Sequence, residues 1–211
     1  MLFRSSDSGS NQSQSSNSSS ASANAASVKI TNSGLYKNLK GKIVLKVESS
    51  GEAYYINPSN QAMYYLGRPA DAFKVMREQG VGITNNNLKK IPIGVKILTG
   101  TDTDGDGLSD AFEDAIGTDK NKQDTDGDGF SDSAEVKSGF NPTGNGNAKA
   151  DNSFSSLQKG KIFLQTEGNG EAWYINPADG KRYFLGRPAD AFNVMRELGL
   201  GISNSDFHSL K

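Results

Sequence analysis

Two acidic segments of twelve residues, 102–113 and 124–135, constrain this sequence more than any other feature. Both place Asp at positions 1, 3, 5 and 9, Gly at position 6 and Glu at position 12, and corresponding residues lie 22 positions apart. Alternate side chains of a tight loop converge on one point, and the glycine allows a sharp turn around it. A hard cation with about six to eight oxygen ligands fits this pattern, so the sequence predicts two Ca²⁺ ions, one in each loop.

The predicted ligands are the carboxylates of each loop together with the main-chain carbonyl group at position 7. They are Asp102, Asp104, Asp106, Leu108, Asp110 and Glu113 in the first loop, and Asp124, Asp126, Asp128, Phe130, Asp132 and Glu135 in the second. The residue at position 9 is expected to bind the ion directly or through water, and the Glu to close the site with two oxygens from the first turn of a short helix. We expect the side chains at position 7 to leave the ion for apolar packing.

The charge distribution supports a bound cation. Residues 102–135 carry twelve acidic and two basic residues, a net charge of −10, although the whole chain has a formal charge of only −1. Such a segment repels itself when it holds no metal. We therefore expect Ca²⁺ to order the segment, and a merely solvated acidic linker is the alternative that the repeated Gly and Glu positions disfavour.

The residues after each loop indicate the kind of calcium segment. Each helix can run for about two turns before Gly117 or Gly139, which suit a helix end with positive φ. Paired EF-hands and dockerin modules need longer helices. The sequence DTDGDGLSDAFEDAIGTD, followed by DTDGDGFSDSAEVKSGFNP, resembles the bacterial form of thrombospondin type 3 repeats over about residues 100–143. That resemblance implies calcium-binding loops with little other core, and residues 141–147 lack the aspartates of a third repeat.

An internal repeat surrounds this segment. Residues 41–87 align with residues 160–206 at a constant offset of 119, with 29 identities in 47 positions. Alternating apolar residues, turn residues and a helix that opens at Pro69 or Pro188 predict a three-stranded antiparallel sheet with one helix in each copy. The predicted fold class is α+β. A copy of this size has a marginal core alone, so we expect the copies to lean on each other or on the calcium segment.

These patterns divide the chain into five parts. The predicted boundaries are a disordered Ser-rich tether at 1–34, a first module at 35–99, the calcium segment at 100–143, a flexible linker at 144–153 and a second module at 154–211. The apolar stretch at 91–98 is interpreted as an extended connector docked on the first module. The module resembles one that accompanies calcium repeats in surface proteins of bacteria with small genomes.

Little else in the sequence predicts chemistry. There is no cysteine, the one histidine is His208, and no nucleophile, dinucleotide or phosphate-loop motif occurs, so we expect a protein that is not an enzyme. No apolar run is long enough to span a membrane, and nothing predicts nucleic-acid binding. The expected location is the extracellular space or a bacterial cell surface, although the first residues do not resemble a secretion signal.

Aromatic and basic residues that recur in both copies offer an alternative function. Outward-facing rings of Tyr54, Tyr64, Trp173 and Tyr183 could stack on sugars, and Arg68 and Arg187 could bind an anionic wall polymer. The competing interpretations are that the rings are covered and that the arginines pair with Asp71 and Asp190. A cell-wall glycan or another surface protein is therefore the expected kind of partner, for either a structural and adhesion role or a carbohydrate-binding role.

Overall fold

The structure is a computed structural model that describes residues 25–211. Its elements in chain order are β1 (Ser27–Lys29), α1 (Ser33–Leu39), β2 (Ile43–Lys46), β3 (Ala53–Ile56), β4 (Ala62–Tyr65), α2 (Pro69–Gln79), β5 (Val81–Ile83), α3 (Asn85–Leu88), β6 (Ile93–Gly94), α4 (Asp110–Ile116), α5 (Asp132–Ser138), α6 (Asn152–Gln158), β7 (Ile162–Gln165), β8 (Ala172–Ile175), β9 (Arg182–Phe184), α7 (Pro188–Leu198), β10 (Leu200–Ile202) and α8 (Asn204–His208). None of the helices within 25–211 has the length and apolar character needed to cross a membrane.

The α+β class is confirmed, and each copy contains the expected antiparallel three-stranded meander and helix. The helices α2 and α7 begin at their prolines, as predicted, and an Asp at the third position accepts a hydrogen bond from the residue before the helix. Each sheet, however, has five strands. Sheet A has the order β1-β4-β3-β2-β10, and sheet B has the order β5-β7-β8-β9-β6.

The additional strands come from an exchange between the copies. Strand β5 follows α2 of the first copy but pairs in parallel with β7 of the second, with Val81 opposite Phe163. Strand β10 reciprocates by pairing with β2, with Leu200 opposite Val44. The short helices that follow make the same exchange, since Leu88 packs in the core under sheet B and its equivalent Phe207 packs under sheet A. Neither copy is therefore a self-contained unit.

The two copies meet through a shared core and a close backbone contact. Helices α2 and α7 pack together, and one apolar cluster draws on both copies. The buried hydroxyl of Tyr55 donates to the Gly160 carbonyl at 2.9 Å, and that of Tyr174 donates to the Gly41 carbonyl at 2.8 Å. A Cβ atom on Gly41 would lie 2.6 Å from the Cα atom of Gly160, so the contact requires glycine. The expectation that such small modules need a partner agrees with this arrangement.

The apolar side of the acidic central segment packs on sheet B. Leu108, Phe112 and Ile116 share a buried cluster with residues of the second copy, among them Trp173 and Phe184. The ring centroids of Phe112 and Phe184 are 5.5 Å apart, and those of Phe112 and Trp173 are 6.0 Å apart. Sheet A has no counterpart of α4: its corresponding face is covered by α1 and α8, whose equivalents α6 and α3 contribute Phe154 and Leu88 to the cluster on sheet B. Sequence reasoning did not predict this difference between the copies.

Two expectations about the connecting segments are wrong. The connector at 91–98 docks on the second copy, because β6 pairs with β9 and the Arg182 amide donates to the Pro92 carbonyl at 2.8 Å. Residues 1–24 of the predicted tether lie outside the described residues, but its last part is ordered. Strand β1 pairs with β4, and Ile30 is fully buried, because this end of the tether carries Val28 and Ile30.

Candidate metal centre

Each acidic loop gathers its first three aspartates around one point. Carboxylate oxygens of Asp102, Asp104 and Asp106 all lie within 4.8 Å of one another, and those of the second loop, Asp124, Asp126 and Asp128, do the same. The glycines at position 6, Gly107 and Gly129, have φ values of 95° and 98°, as the sequence predicted. Their backbone therefore adopts the left-handed region that other residues rarely occupy.

The aspartate at position 1 fixes the shape of the loop. Asp102 accepts hydrogen bonds from the amides of Gly105 at 2.8 Å and Gly107 at 3.0 Å. Asp124 accepts from Gly127 at 2.7 Å and from Gly129 at 2.9 Å. Each carboxylate thus holds two loop amides and still has lone pairs directed elsewhere.

The strongest indication of a ligand is a set of buried carboxylate oxygens without a hydrogen-bond partner. They are Asp104 Oδ2 and Glu113 Oε2 in the first repeat, and Asp126 Oδ2 and Glu135 Oε2 in the second. These are positions 3 and 12 of both loops, and a buried acceptor without a partner is costly. The same two positions are unsatisfied in both repeats, so the residues present fit a bound divalent cation.

Electrostatics favour the same interpretation. Glu113 is fully buried and Glu135 is 5% exposed. Burial, followed by repulsion from nearby aspartates, raises the pKa of each to about 7. Burial also raises the pKa of Asp104 and of Asp132. These carboxyl groups are hard to ionise because they lie close together and away from water. A divalent cation between them would neutralise their charge and favour the ionised form.

The aspartates at position 9 have a clear structural role. Asp110 accepts from the amide and the hydroxyl of Thr103, both at 2.8 Å. Asp132 accepts from the amide of Thr125 at 3.0 Å and from its hydroxyl at 2.6 Å. Each Asp therefore ties the first turn of its helix to position 2 of its own loop. Sequence reasoning assigned these residues to the ion and missed the threonine contacts; metal ligation at position 9 stays a prediction.

The two repeats are joined by contacts of the first loop with the second. Asp106 Oδ2 accepts from the Ser133 amide at 2.9 Å, near the start of α5. The Gln123 side chain donates to the Asp104 carbonyl at 2.6 Å. Asp128 occupies the position in the second loop that Asp106 occupies in the first, and its described contact is with the Phe130 amide at 3.0 Å. The first site is thus bonded to its neighbour, and the second lies at the end of the pair.

The residues at position 7 differ between the loops. Leu108 is fully buried, as expected, but Phe130 is 64% exposed. The expectation of apolar packing is therefore wrong for Phe130, because only the first repeat lies against sheet B at this point. The role of both carbonyl groups as ligands stays a prediction.

The helices after the loops end where the sequence predicted. Gly117 follows α4 with φ 91°, and Gly139 follows α5 with φ 83°. Residues 102–122 and 124–143 each match the family model of the bacterial TSP3 repeat. The central segment is a tandem pair of bacterial TSP3 repeats. TSP3 repeats are calcium-binding, and the two aspartate triads fit this property. The chain has no significant match among the curated proteins or the solved structures.

Most of the aromatic residues considered for sugar binding are buried. Trp173 is fully buried, and Tyr64 and Tyr183 are 7% and 5% exposed. Tyr54 is half-buried and packs against Phe207, with ring centroids 4.6 Å apart and the ring planes tilted by 46°. The expectation of an outward-facing aromatic surface is wrong for the buried rings, because helices or the TSP3 segment cover both faces of the sheets.

The two repeated arginines form ion pairs at the start of their helices. Arg68 Nε lies 3.3 Å from Asp71 Oδ2, and Arg187 Nε lies 3.6 Å from Asp190 Oδ2. Asp190 also accepts from the amide and the hydroxyl of Thr99, just before the first TSP3 repeat. The pairing interpretation of these arginines agrees with the structure, and in the second copy the pair anchors the entry to the TSP3 segment.

Proposed function

We propose that this protein is a calcium-binding structural or adhesion protein of the extracellular space or a bacterial cell surface. In it, two Ca²⁺ ions order the TSP3 pair and fix it against sheet B. The observation that carries the proposal is the recurrence of unsatisfied buried oxygens at positions 3 and 12 of both repeats. A bound cation would satisfy these oxygens and reduce the net charge of −10 on residues 102–135.

The ligand set links the loop to the helix in each repeat. Asp102, Asp104 and Asp106 belong to the loop, whereas Glu113 belongs to α4, which carries Phe112 into the core beside Trp173. An ion held by both parts would fix α4 relative to the loop, and the packing of α4 would extend that order to sheet B. The free energy of calcium binding thereby becomes free energy of folding for the segment.

The extracellular location is supported by where TSP3 repeats occur and by the calcium affinity that is usual for such loops. TSP3 repeats are found in extracellular proteins. Loops of this kind in extracellular modules bind Ca²⁺ with dissociation constants of about 0.1–1 mM, which suits the calcium concentration outside cells.

Calcium titration by calorimetry tests the proposal. The protein stripped with chelator should bind two Ca²⁺ ions, and the Asp102→Ala/Asp104→Ala variant should lose one of them. The matched control is Asp114→Ala/Asp119→Ala, which removes two carboxylates of the same segment that pair with Lys120 and Lys122. The control should keep both sites. A wild-type protein without saturable binding at millimolar Ca²⁺, or a control that loses binding equally, would contradict the proposal.

A further inference from the structure

Arg182 is a buried cation that the calcium sites do not use. It lies on β9 with only 5% of its surface exposed, and its guanidinium carbon is 4.9 Å from the centre of the Trp173 ring. Within residues 25–211, no carboxylate forms an ion pair with the guanidinium, and the buried Nε has no hydrogen-bond partner. Burial lowers its pKa to about 9, so the group remains charged at neutral pH.

Contact with an aromatic ring offsets only part of the cost of this burial. A guanidinium has five N–H donors in one plane, and a ring face accepts none of them as a conventional hydrogen bond. Buried cations are normally paired with an anion or with several acceptors. The arrangement around Arg182 is therefore incomplete without a further group.

A cavity beside Arg182 provides space for such a group. Its volume is about 100 Å³, and it is lined by Arg182, Asn85, Lys89 and Gln165 together with residues 114–117 at the end of α4. The oxygen Asn85 Oδ1 is also buried without a partner. The Gln165 amide is already occupied, since it donates to the Ala115 carbonyl and accepts from Trp173 Nε1.

The charges around the cavity favour an anion. Arg182 and Lys89 contribute two positive charges, and Lys89 is exposed with no ion pair recorded among the described residues. The one acidic residue of the lining, Asp114, lies 3.2 Å from Lys120 and is thereby largely compensated. Among the side chains that line the cavity, positive charge therefore exceeds negative charge.

The first copy shows that the fold does not require an arginine at this position. The residue equivalent to Arg182, at the offset of 119, is Met63, which is 1% exposed in an apolar cluster with Phe207 and Leu210. A flexible apolar side chain therefore fills the same place on the same strand of the meander. The arginine occurs only in the copy whose neighbouring wall is the end of the TSP3 helix α4.

We propose that this cavity binds one small oxyanion, a carboxylate or a tetrahedral anion, through the guanidinium of Arg182, with Lys89 adding charge. A planar guanidinium matches two oxygens of such an anion with paired hydrogen bonds. The volume of about 100 Å³ admits an anion of a few heavy atoms. Because α4 forms one wall, the test is made on the full chain with its calcium sites filled.

The fluorescence of Trp173 gives a direct measurement, because it is the only tryptophan in the chain and lies against the guanidinium. Titration with sodium acetate or sodium sulfate should produce a saturable change in emission that sodium chloride at equal ionic strength does not produce. The tighter of the two probes distinguishes a carboxylate site from a site for tetrahedral anions. Calorimetry should give one anion per chain.

Two variants separate the site from a general salt effect. Arg182→Met, which copies the side chain found in the first copy, should lower the anion affinity by about tenfold or more, since a charge-assisted hydrogen bond is lost. The control Met63→Leu changes the equivalent position of the first copy and should leave the affinity unchanged. Calorimetry, which does not depend on the tryptophan environment, is the deciding measurement. Binding to Arg182→Met with the affinity of the wild type, or no saturable binding of either probe to the wild type, would overturn the proposal.

Discussion

Calcium binding to this protein should release protons, and the number released should fall as the pH rises. The two glutamates at position 12 of the TSP3 loops have pKa values of about 7 without metal, raised by burial and by the neighbouring aspartates. A carboxyl group must lose its proton to bind Ca²⁺. At pH 6, a group with a pKa of 7 is protonated in about 90% of molecules, so two sites should release about 1.8 protons. At pH 8, the same groups should release about 0.2 protons.

The same values set the pH dependence of the metal-free fold. The folded pKa of Glu113 and Glu135 lies above the ordinary value of 4.5, so the folded segment binds more protons than the unfolded chain between pH 4.5 and pH 7. Without calcium, stability is therefore greatest below about pH 4.5 and is lost as the pH rises towards 7. The loss is at most about 3 kcal/mol for each glutamate. With calcium bound, this dependence should reverse, because acid competes with the ion.

Calorimetry at pH 6 in two buffers with different enthalpies of protonation measures the release directly, since released protons add the buffer enthalpy to the heat. Glu113→Gln and Glu135→Gln should each remove close to one proton from the total. Asp114→Asn, whose carboxylate lies outside the sites, should leave the total unchanged. Equal heats in the two buffers at pH 6 would refute the assignment of these glutamates as buried ligands.

Three further predictions follow from contacts in the fold. Gly41→Ala should lower the free energy of unfolding by about 2–4 kcal/mol, because the added Cβ atom would meet the backbone of Gly160. Gly51→Ala is the control, since Gly51 has a similar φ but open space around it, and should cost only about 1 kcal/mol. Urea unfolding measures both losses, and equal losses would contradict the close contact. Asp106→Ala should weaken both calcium sites, because Asp106 also accepts from the Ser133 amide near the start of α5. Asp128→Ala should weaken mainly the second site, since the described contact of Asp128 is within its own loop. Equal effects of the two variants in calcium titrations would contradict this link between the repeats. Removal of calcium with a chelator should change the emission of Trp173, because Phe112 on α4 packs against that ring. The far-UV circular dichroism should keep its β-sheet contribution. An unchanged emission would contradict the prediction.

The TSP3 segment could be predicted in detail because its constraints are local. The spacing of the aspartates, the glycine at position 6 and the glycine after each short helix act within about fifteen residues. The structure reproduces them with φ values near 95° at Gly107 and Gly129. The same holds for the meander and for the helix that opens at Pro69, since proline fixes φ at the first helical position.

The exchange of strands could not be predicted because the two copies share the same apolar pattern where they pair. Gly82 and Ile83 of β5 have the same identities as Gly201 and Ile202 of β10. Either strand could therefore pair with its own copy or with the other, and side-chain patterning does not distinguish the choices. Only the three-dimensional path of the chain selects the partner.

The predicted orientation of the aromatic residues was wrong for a related reason. Alternation along a strand predicts that one of two neighbouring rings faces outward, which assumes a sheet with one covered face. In the second copy both faces are covered, so Trp173 and Tyr174 are each buried on opposite sides. The pattern along one strand cannot show that a distant segment packs on it, and Phe112, which packs on Trp173, lies about 60 residues earlier in the chain.

The path of the chain also determines what calcium can control. Both ends of the TSP3 segment are attached to sheet B, through β6 beside β9 and through Phe154 of α6 in the core below that sheet. The two copies hold each other through β5, β10 and the shared core, none of which contains a calcium ligand. The sequence suggested that calcium sets the relation of the two modules, but the contacts assign that task to strand exchange. We therefore expect calcium to govern whether the acidic segment stays ordered against one face of an already fused pair, and loss of the ion should release that segment without separating the copies.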